Sequence, residues 1–303
     1  MEKPPPIKDL ARDLADPKCP IGRRMRTVFY LKLHGGKDAI SALEGGLISD
    51  SVLLNHEICY VLGQMQDPLA VPVLNKVLVD EKAHPVVRHE AAEALGAIGI
   101  EESLELLRKY AKSPVTEVAE TCELAIDSVL HQLEQKKKAA SESKTTKGTQ
   151  SKYLSVDPAP AEKDETDVTK LQTTLNDTKK RLFDRYRAMF ALRDLGTKES
   201  VEALATAFGD KSAIVRHEIA YVMGQMRHVA AVPHLKKVLE DAAEHSMVRH
   251  EAAEALGSIS NSESVEILNG YKADKQRIVS ESCKVALDIA EDWGAETTTT
   301  ADE

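Results

Sequence analysis

The chain has 303 residues, of which 42% are hydrophobic and 4% aromatic, and its formal net charge at pH 7 is -9. This length and apolar content suffice for two globular domains. The few aromatic residues favour α-helices packed through Ala, Leu, Val and Ile over a β-sandwich or barrel. The negative charge argues against direct binding of nucleic acid, which needs a basic surface. No apolar run approaches the ~18 residues of a membrane span, so none is predicted.

The N-terminal segment and the cysteines indicate a reducing setting. Residues 1–14 carry three prolines and mixed charges where a signal peptide would need an unbroken apolar core. Cys19, Cys59, Cys122 and Cys283 are far apart and form no C-x-x-C pair, which argues against a disulfide framework and against a thiolate zinc site. We therefore expect a soluble cytoplasmic protein with buried thiols.

A duplication dominates the sequence. The segment His56–Tyr110 aligns with His217–Tyr271 without a gap, with 33 of 55 positions identical at a constant offset of 161. The same offset pairs Cys122 with Cys283 further along. The chain therefore contains two homologous halves.

The predicted domain boundaries follow from this duplication and from local composition. Residues 132–165 are rich in Lys, Ser, Thr, Glu and Pro and have little to bury, which predicts a flexible linker. Residues 294–303 have the same character and predict a disordered tail. The two halves then cover residues 1–131 and 166–293.

A shorter period inside each half predicts stacked helical hairpins. The phrase NHEICYVLGQM is followed 33 residues later by RHEAAEALGAI, a spacing typical of repeat proteins. Apolar residues recur at intervals of three and four residues, which is helical spacing. The phrase V-R-x-x-A-A-x-A-L-G resembles HEAT-like repeats. We therefore predict an all-α fold, an α-solenoid of two pseudo-twofold halves with four hairpins each.

Each half carries two His-Glu pairs at the same position of successive inner helices. A Gly follows each His by seven residues, two turns along the same helix face. In ordinary repeats of this kind such a Gly belongs to the packing phrase. The pairs and their glycines are His56-Glu57 with Gly63, His89-Glu90 with Gly96, His217-Glu218 with Gly224, and His250-Glu251 with Gly257.

The outer hairpins of each half lack these pairs. Simple copying of a repeat consensus would have placed a His-Glu pair in every hairpin. Burying imidazoles and carboxylates together, with no Lys replacing any of them, is costly unless a bound cation bridges them. The pairs therefore predict a metal site. In an approximate alignment the outer hairpins hold Thr27-Val28, Val118-Ala119, Ala188-Met189 and Val279-Ser280 at the equivalent place.

The donor set narrows the kind of metal. If the two halves face each other, two equivalent ions come as close as in other two-metal sites. Imidazole and carboxylate ligands without thiolate leave zinc, manganese and iron possible, and two His with one carboxylate favour non-haem iron that handles oxygen. The H-E-x-x-H signature of hydrolytic zinc and the Glu-x-x-His signature of ferritin-like bundles are both absent. Tyr60, Tyr221, Glu93 and Glu254, one turn after each His, are candidates for orienting the ligands, and ordinary repeat positions explain them equally well.

Paired HEAT-like halves with four His-Glu pairs resemble the deoxyhypusine hydroxylase family, and the resemblance covers both halves. It implies a monooxygenase with two iron ions (Fe2+/Fe3+) that uses O2 and a reductant. The implied substrate is the deoxyhypusine side chain of a eukaryotic translation factor, which hydroxylation converts to hypusine. That factor is the implied partner, and we expect a monomer with no nucleic-acid or membrane partner. The implied ligands are His56, His89 and Glu90 for one ion and His217, His250 and Glu251 for the other.

The resemblance also gives roles to four further residues. Glu57 and Glu218 are implied to be catalytic, because carboxylates make strong charge-assisted hydrogen bonds to the cationic deoxyhypusine chain. They could instead complete the metal shell. Gly63 and Gly224 would lie beside the substrate channel, where a missing side chain lets the aminobutyl chain approach the ions.

Three alternatives remain open from the sequence. A non-catalytic HEAT-like scaffold would be colourless and would hold no stoichiometric metal. A lyase or chaperone for a pigment or cofactor would not need four His-Glu pairs. A dinuclear zinc or manganese hydrolase would act without consuming oxygen.

Overall fold

The computed structural model describes residues 4–48, 50–141 and 153–298. Within these ranges every regular element is helical, which confirms the predicted all-α class. The helices are joined by turns and short 3-10 segments. They are α1 Ile7–Ala15, α2 Ile21–His34, α3 Gly36–Gly46, α4 Val52–Gln64, α5 Val71–Val79, α6 Pro85–Ile98, α7 Leu104–Tyr110, α8 Thr116–Ser141, α9 Val168–Asn176, α10 Leu182–Leu195, α11 Lys198–Ala205, α12 Ala213–Met226, α13 Val232–Glu240, α14 Ser246–Ile259, α15 Ser262–Tyr271 and α16 Arg277–Thr298.

The chain divides into two compact units, the first unit covering residues 1–160 and the second unit residues 161–303. Each unit consists of four consecutive hairpins, α1–α2 to α7–α8 in the first and α9–α10 to α15–α16 in the second. The even-numbered inner helices pack against one another in chain order within each unit. The predicted four hairpins per half are therefore confirmed. Among the described helices, none combines the length and the apolar content that crossing a membrane requires.

Side-chain caps set the start of the inner helices that carry the His-Glu pairs. Helices α4 and α12 begin after Ser51 and Ser212, whose hydroxyls accept a hydrogen bond from a backbone N–H of the first turn. Helices α6 and α14 begin after His84 and His245, whose rings do the same. Such a cap satisfies one of the N–H groups that a helix start leaves without a partner. The His and the Glu are then the fifth and sixth residues of all four helices.

A buried arginine joins the two helices of the first and third hairpins in each unit. Each arginine is the fourth residue of its inner helix, and its Nε donates to a carbonyl oxygen in the last turn of the outer helix, ten residues earlier. These carbonyls lack a partner within their own helix. The four bonds run from Arg24 to Leu14 (2.9 Å), from Arg88 to Leu78 (3.0 Å), from Arg185 to Leu175 (2.7 Å) and from Arg249 to Leu239 (2.9 Å).

The helix starts correct our alignment of the outer hairpins by two residues. The alignment placed Thr27-Val28 and its three counterparts opposite the His-Glu pairs, but those residues are not the fifth and sixth of their helices. The connections between hairpins differ in length, so equivalent residues of successive inner helices are not separated by a fixed number of residues. None of the corrected positions holds a His-Glu pair, so the pairs remain confined to the middle hairpins. The corrected positions are Met25-Arg26, Glu120-Thr121, Tyr186-Arg187 and Glu281-Ser282.

The four glycines that follow the His-Glu pairs allow neighbouring inner helices to approach closely. A Cβ at Gly63 would lie 2.6 Å from Cα of Ala94, and one at Gly224 would lie 2.9 Å from Cα of Ala255. Gly96 and Gly257 face Ala125 and Ala286 in the same way, at 3.0 Å and 2.9 Å from Cα. Packing alone therefore accounts for these glycines. The role of Gly63 and Gly224 beside a substrate channel stays a prediction.

Helix α8 continues to Ser141, past residue 132, where we placed the start of the linker. The amide of Gln132 donates to the carbonyl oxygen of Gly96 at 2.8 Å, and Nζ of Lys136 donates to that of Gly99 at 3.4 Å. These bonds tie the polar extension of α8 to the end of α6. At the other end, α16 runs to Thr298 inside the predicted tail, whose last residues, 299–303, lie outside the described part of the chain.

Part of the predicted linker packs on the first unit, whereas residues 142–152 lie outside the described ranges. Pro158 and Ala159 are buried. The side chain of Gln64 donates to the carbonyl oxygen of Val156 at 3.1 Å and accepts from its N–H at 2.8 Å. The composition of this segment did not predict these contacts, because its few apolar residues lie among charged ones.

Candidate metal centre

In the first unit, α4 and α6 bring His56, His89 and Glu90 together. All three side chains are buried, and each offers a ligand atom within 4.8 Å of the other two. Nε2 of His56 lies 3.0 Å from Oε2 of Glu90, which lies 3.9 Å from Nε2 of His89. A cation here would meet two imidazoles and one carboxylate.

Glu57 contacts the other side of the His56 ring. Its Oε1 lies 3.2 Å from Nδ1 of His56, opposite the nitrogen that faces Glu90. Burial lowers the pKa of His56, but the carboxylates of Glu90 and Glu57 outweigh this and raise the pKa well above its usual value. The same negative potential that attracts a proton to this ring would favour a metal cation.

In the second unit, α12 and α14 carry the equivalent residues, but the ligand atoms that lie close together are a different group. Nε2 of His217 lies 3.3 Å from Oε2 of Glu251, and the rings of His217 and His250 have centroids 5.4 Å apart. Ligand atoms of His250, Glu251 and Glu254 lie within 4.8 Å of one another. Glu218 is buried beside His217 on the same helix.

One contact in the second unit was not anticipated from the sequence. Glu254 was a candidate for orienting a ligand, and its Oε1 lies 3.5 Å from Nδ1 of His250. Ser282 of α16 was not singled out, yet its hydroxyl donates to the same Oε1 at 3.0 Å. The sequence signal would have been a buried Ser in the next inner helix, which the misplaced alignment hid.

The donor atoms fit iron. Each unit offers two imidazoles and a carboxylate in a buried place, which suits iron, manganese or zinc and leaves coordination positions open. Cys59 on α4 is also buried, but burial and the carboxylate of Glu90 raise the pKa of its thiol well above the usual value. Among the described residues, the groups of neighbouring potential ligand atoms contain His and Glu and no Cys. Ligation through nitrogen and oxygen alone stays a prediction.

Sequence comparison defines the class of the chain. A profile of HEAT repeats matches residues 40–127 and 169–246, and a profile of the PBS lyase HEAT-like repeat matches residues 248–271. Together with the stacked hairpins, these matches make the chain a HEAT-repeat protein, one whose middle hairpins carry buried His and Glu side chains.

Relatives then define the family. Deoxyhypusine hydroxylase of Bos taurus is 49% identical over 285 residues, covering 94% of this chain and 91% of the relative. Deoxyhypusine hydroxylase of Candida albicans is 48% identical over 283 residues, covering 89% of this chain and 87% of the relative. The solved structure of human deoxyhypusine hydroxylase in complex with glycerol matches with a TM-score of 0.88 at 46% identity, covering 94% of this chain and 96% of that one. The chain belongs to the deoxyhypusine hydroxylase family, which confirms the resemblance.

Proposed function

We propose that this protein hydroxylates the deoxyhypusine side chain of the hypusine-containing translation factor, using O2, a reductant and two iron ions, one held by each unit. The observation that carries the proposal is a buried set of two His and one Glu in each unit of a member of the deoxyhypusine hydroxylase family. The proposed ligands are His56, His89 and Glu90 in the first unit and His217, His250 and Glu251 in the second.

Iron, when bound, would supply the activation of dioxygen. The chain supplies a fixed geometry, since the helix caps set each His-Glu pair at the same place in its helix. Two His and one carboxylate would hold each ion without filling its coordination sphere, which suits oxygen chemistry. The buried position of these side chains limits the access of water, which protects an oxidant from wasteful reaction.

Glu57 and Glu218 are the proposed substrate-binding carboxylates. The deoxyhypusine side chain carries protonated amines, and a hydrogen bond between an ammonium group and a carboxylate is strong where water is scarce. Both carboxylates are buried. Glu57 also contacts Nδ1 of His56 at 3.2 Å, so in the first unit we assign it a second role in orienting that ring.

The net charge and the free cysteines bear on the charge of the protein substrate and on the cellular setting of the proposed reaction. A net charge of -9 suits a cationic protein substrate, whose association should weaken as salt is added. Cys19, Cys59, Cys122 and Cys283 form no disulfide, which agrees with a cytoplasmic, reducing setting. We propose a monomer without nucleic-acid partners.

The test combines metal analysis with oxygen labelling. The full chain is loaded with Fe2+ without air and freed of unbound metal. It is then given the deoxyhypusine-bearing factor, a reductant and ¹⁸O2. We expect about two irons per chain, as two-metal sites require, and one ¹⁸O atom in the product by mass spectrometry. His56→Ala and His250→Ala should each lose iron and hydroxylation while retaining their helical circular dichroism.

His234→Ala is the matched control, because His234 lies on the surface of α13 and pairs with Glu202 at 3.0 Å. It should keep both iron and activity. One iron per chain, or full activity with zinc, would overturn the proposed chemistry. Turnover without oxygen consumption would favour the hydrolase alternative, and a protein without stoichiometric metal would favour the scaffold.

A further inference from the structure

A chain of three residues in contact lies beside one proposed ligand in the second unit. Nδ1 of His250 lies 3.5 Å from Oε1 of Glu254, which stands one turn later on α14. The hydroxyl of Ser282, on the neighbouring helix α16, donates to that same oxygen at 3.0 Å. His250 and Ser282 are fully buried.

This arrangement fixes how the His250 ring can coordinate. A histidine that binds a metal through one nitrogen usually directs the N–H of the other to a carboxylate or carbonyl, which sets its tautomer and its orientation. With Nδ1 directed at Glu254, Nε2 is the nitrogen available for a metal ion. The serine hydroxyl in turn restricts the carboxylate to the rotamer that meets the ring.

The first unit uses the equivalent hydroxyl differently. Thr121 on α8 stands where Ser282 stands on α16, at the constant offset of 161. Its Oγ1 donates to the carbonyl oxygen of Glu117 in its own helix at 2.8 Å. Because a hydroxyl has a single hydrogen, this donor serves the helix backbone and not the carboxylate of the preceding inner helix.

We propose that Glu254 and Ser282 are positioning residues for His250, and that this support makes iron binding in the second unit depend on a link between α14 and α16. The inference rests on the proposed function, because it presumes that His250 binds iron. Glu254 acts through the imidazole in this scheme, and Ser282 acts through Glu254. In the first unit, Thr121 does not donate the hydrogen bond that Ser282 donates in the second.

The experiment measures the affinity for Fe2+ directly, with no turnover. The full chain is titrated without air against a chromophoric Fe2+ chelator, for the wild type, Glu254→Ala, Glu254→Gln, Ser282→Ala and Thr121→Ala. Losing an outer partner of a metal-bound histidine typically costs about 10–100-fold in metal affinity. We expect Glu254→Ala to weaken one of the two Fe2+ equivalents by this factor and to leave the other unchanged.

The remaining variants separate positioning from direct ligation. Glu254→Gln keeps an oxygen that can accept from Nδ1, so it should restore most of the affinity. Ser282→Ala should weaken the same equivalent by a smaller factor, and Thr121→Ala should change neither. Equal losses in Glu254→Ala and Glu254→Gln would show a charged ligand and overturn the positioning role. Equal effects of Ser282→Ala and Thr121→Ala would overturn the α14–α16 link.

Failure of this inference can be told apart from failure of the proposed function. A wild-type chain that binds fewer than two Fe2+ ions contradicts the proposed metal centre before any variant is made. A wild type that binds two ions, with Glu254→Ala binding both as tightly, contradicts only the positioning role. Thermal unfolding followed by circular dichroism identifies misfolded variants, and Ser282→Ala, the milder change, then carries the test.

Discussion

The first hairpins of the two units differ although their cores are duplicated. Phe190 on α10 is fully buried, and the guanidinium of Arg193 lies over its ring at 4.7 Å. Its counterpart in the first unit, Phe29 on α2, is 39% exposed, and Leu33 on the same helix is 73% exposed. The two units share their helices and His-Glu pairs, whereas equivalent residues of their first hairpins differ in burial and in the side chains they contact.

A glutamine present in both units has different hydrogen-bond partners in each. Gln225 accepts a hydrogen bond from Nη1 of Arg193 at 2.8 Å. Its counterpart Gln64 instead exchanges two hydrogen bonds with the backbone of Val156. Lys32 replaces Arg193 in the first unit, and partial burial lowers its pKa. Local partners therefore decide the role of a duplicated side chain.

The largest expected difference between the units concerns the arginines of the third hairpins. Arg249 makes a buried ion pair with Asp274 at 2.7 Å, whereas Arg88, beyond its bond to Leu78, stacks over Tyr110 at 5.5 Å. Removing one partner of a buried ion pair costs about 3–5 kcal/mol. Arg249→Ala should lower the free energy of unfolding by that amount, and Arg88→Ala by about 1–3 kcal/mol. Denaturant unfolding of both variants checks this, and equal losses would contradict it.

The close approach of the inner helices gives the next effect. A Cβ at Gly63 would meet the backbone of Ala94 at 2.6 Å, and one at Gly224 would meet Ala255 at 2.9 Å. Overpacking of this kind costs about 1–3 kcal/mol, so we expect Gly63→Ala to destabilise more than Gly224→Ala. Gly45→Ala is the control, since no atom lies within 4 Å of its added Cβ, and it should stabilise α3 by about 0.5–1 kcal/mol. Thermal unfolding measures all three variants, and no loss in Gly63→Ala would refute the packing argument.

The two glutamines should differ in the kind of effect more than in its size. Gln225→Ala removes a partner of the buried Arg193 guanidinium, and a hydrogen bond to a charged group is worth about 1.5–3 kcal/mol. Gln64→Ala removes two bonds to neutral backbone groups, which we expect to release residues 153–160 with little effect on the first unit itself. Hydrogen exchange with mass spectrometry should show faster exchange in 153–160 for Gln64→Ala only. Faster exchange there in both variants would refute the assignment.

The smallest expected effect is the pH dependence of stability caused by one buried cysteine in each unit, and it should be the same for both units. Burial raises the pKa of Cys122 and of Cys283 to about 12 from 9.0. Between these values the unfolded chain binds fewer protons than the folded chain, so stability is full below pH 9 and falls as pH rises. At pH 10 each thiol should cost about 1.4 kcal/mol. Comparing the pH 8 to pH 10 loss in wild type with that in Cys122→Ala and Cys283→Ala tests this, and unchanged losses in the variants would contradict it.

Much of the fold and of the candidate site followed from periodic sequence signals. The duplication, the helical spacing and the His-Glu pairs each repeat, so they predicted the hairpins without reference to tertiary structure. The ligand sets were implied by the family resemblance and stay a prediction. The place of the pairs could be predicted because a capped helix start sets them on the second turn. The union of both units' ligands in one dinuclear centre stays a prediction.

What the sequence concealed depends on contacts that occur once. Ser282 is a single serine with no motif, and its meaning comes from the carboxylate of Glu254 on another helix. The segment around Val156 looks polar, but its backbone groups are matched by one glutamine. The outer hairpins were misaligned because the connections between hairpins differ in length, which the sequence alone does not show.

The four arginines that reach back ten residues also bear on how the chain folds. Each bond closes a short loop within one hairpin, and closing a loop of that length takes on the order of 10–100 ns. Chains whose contacts are mostly local fold faster than chains of the same stability with distant pairings. We therefore expect the first and third hairpins to form early, so that each unit can assemble by adding neighbours to them.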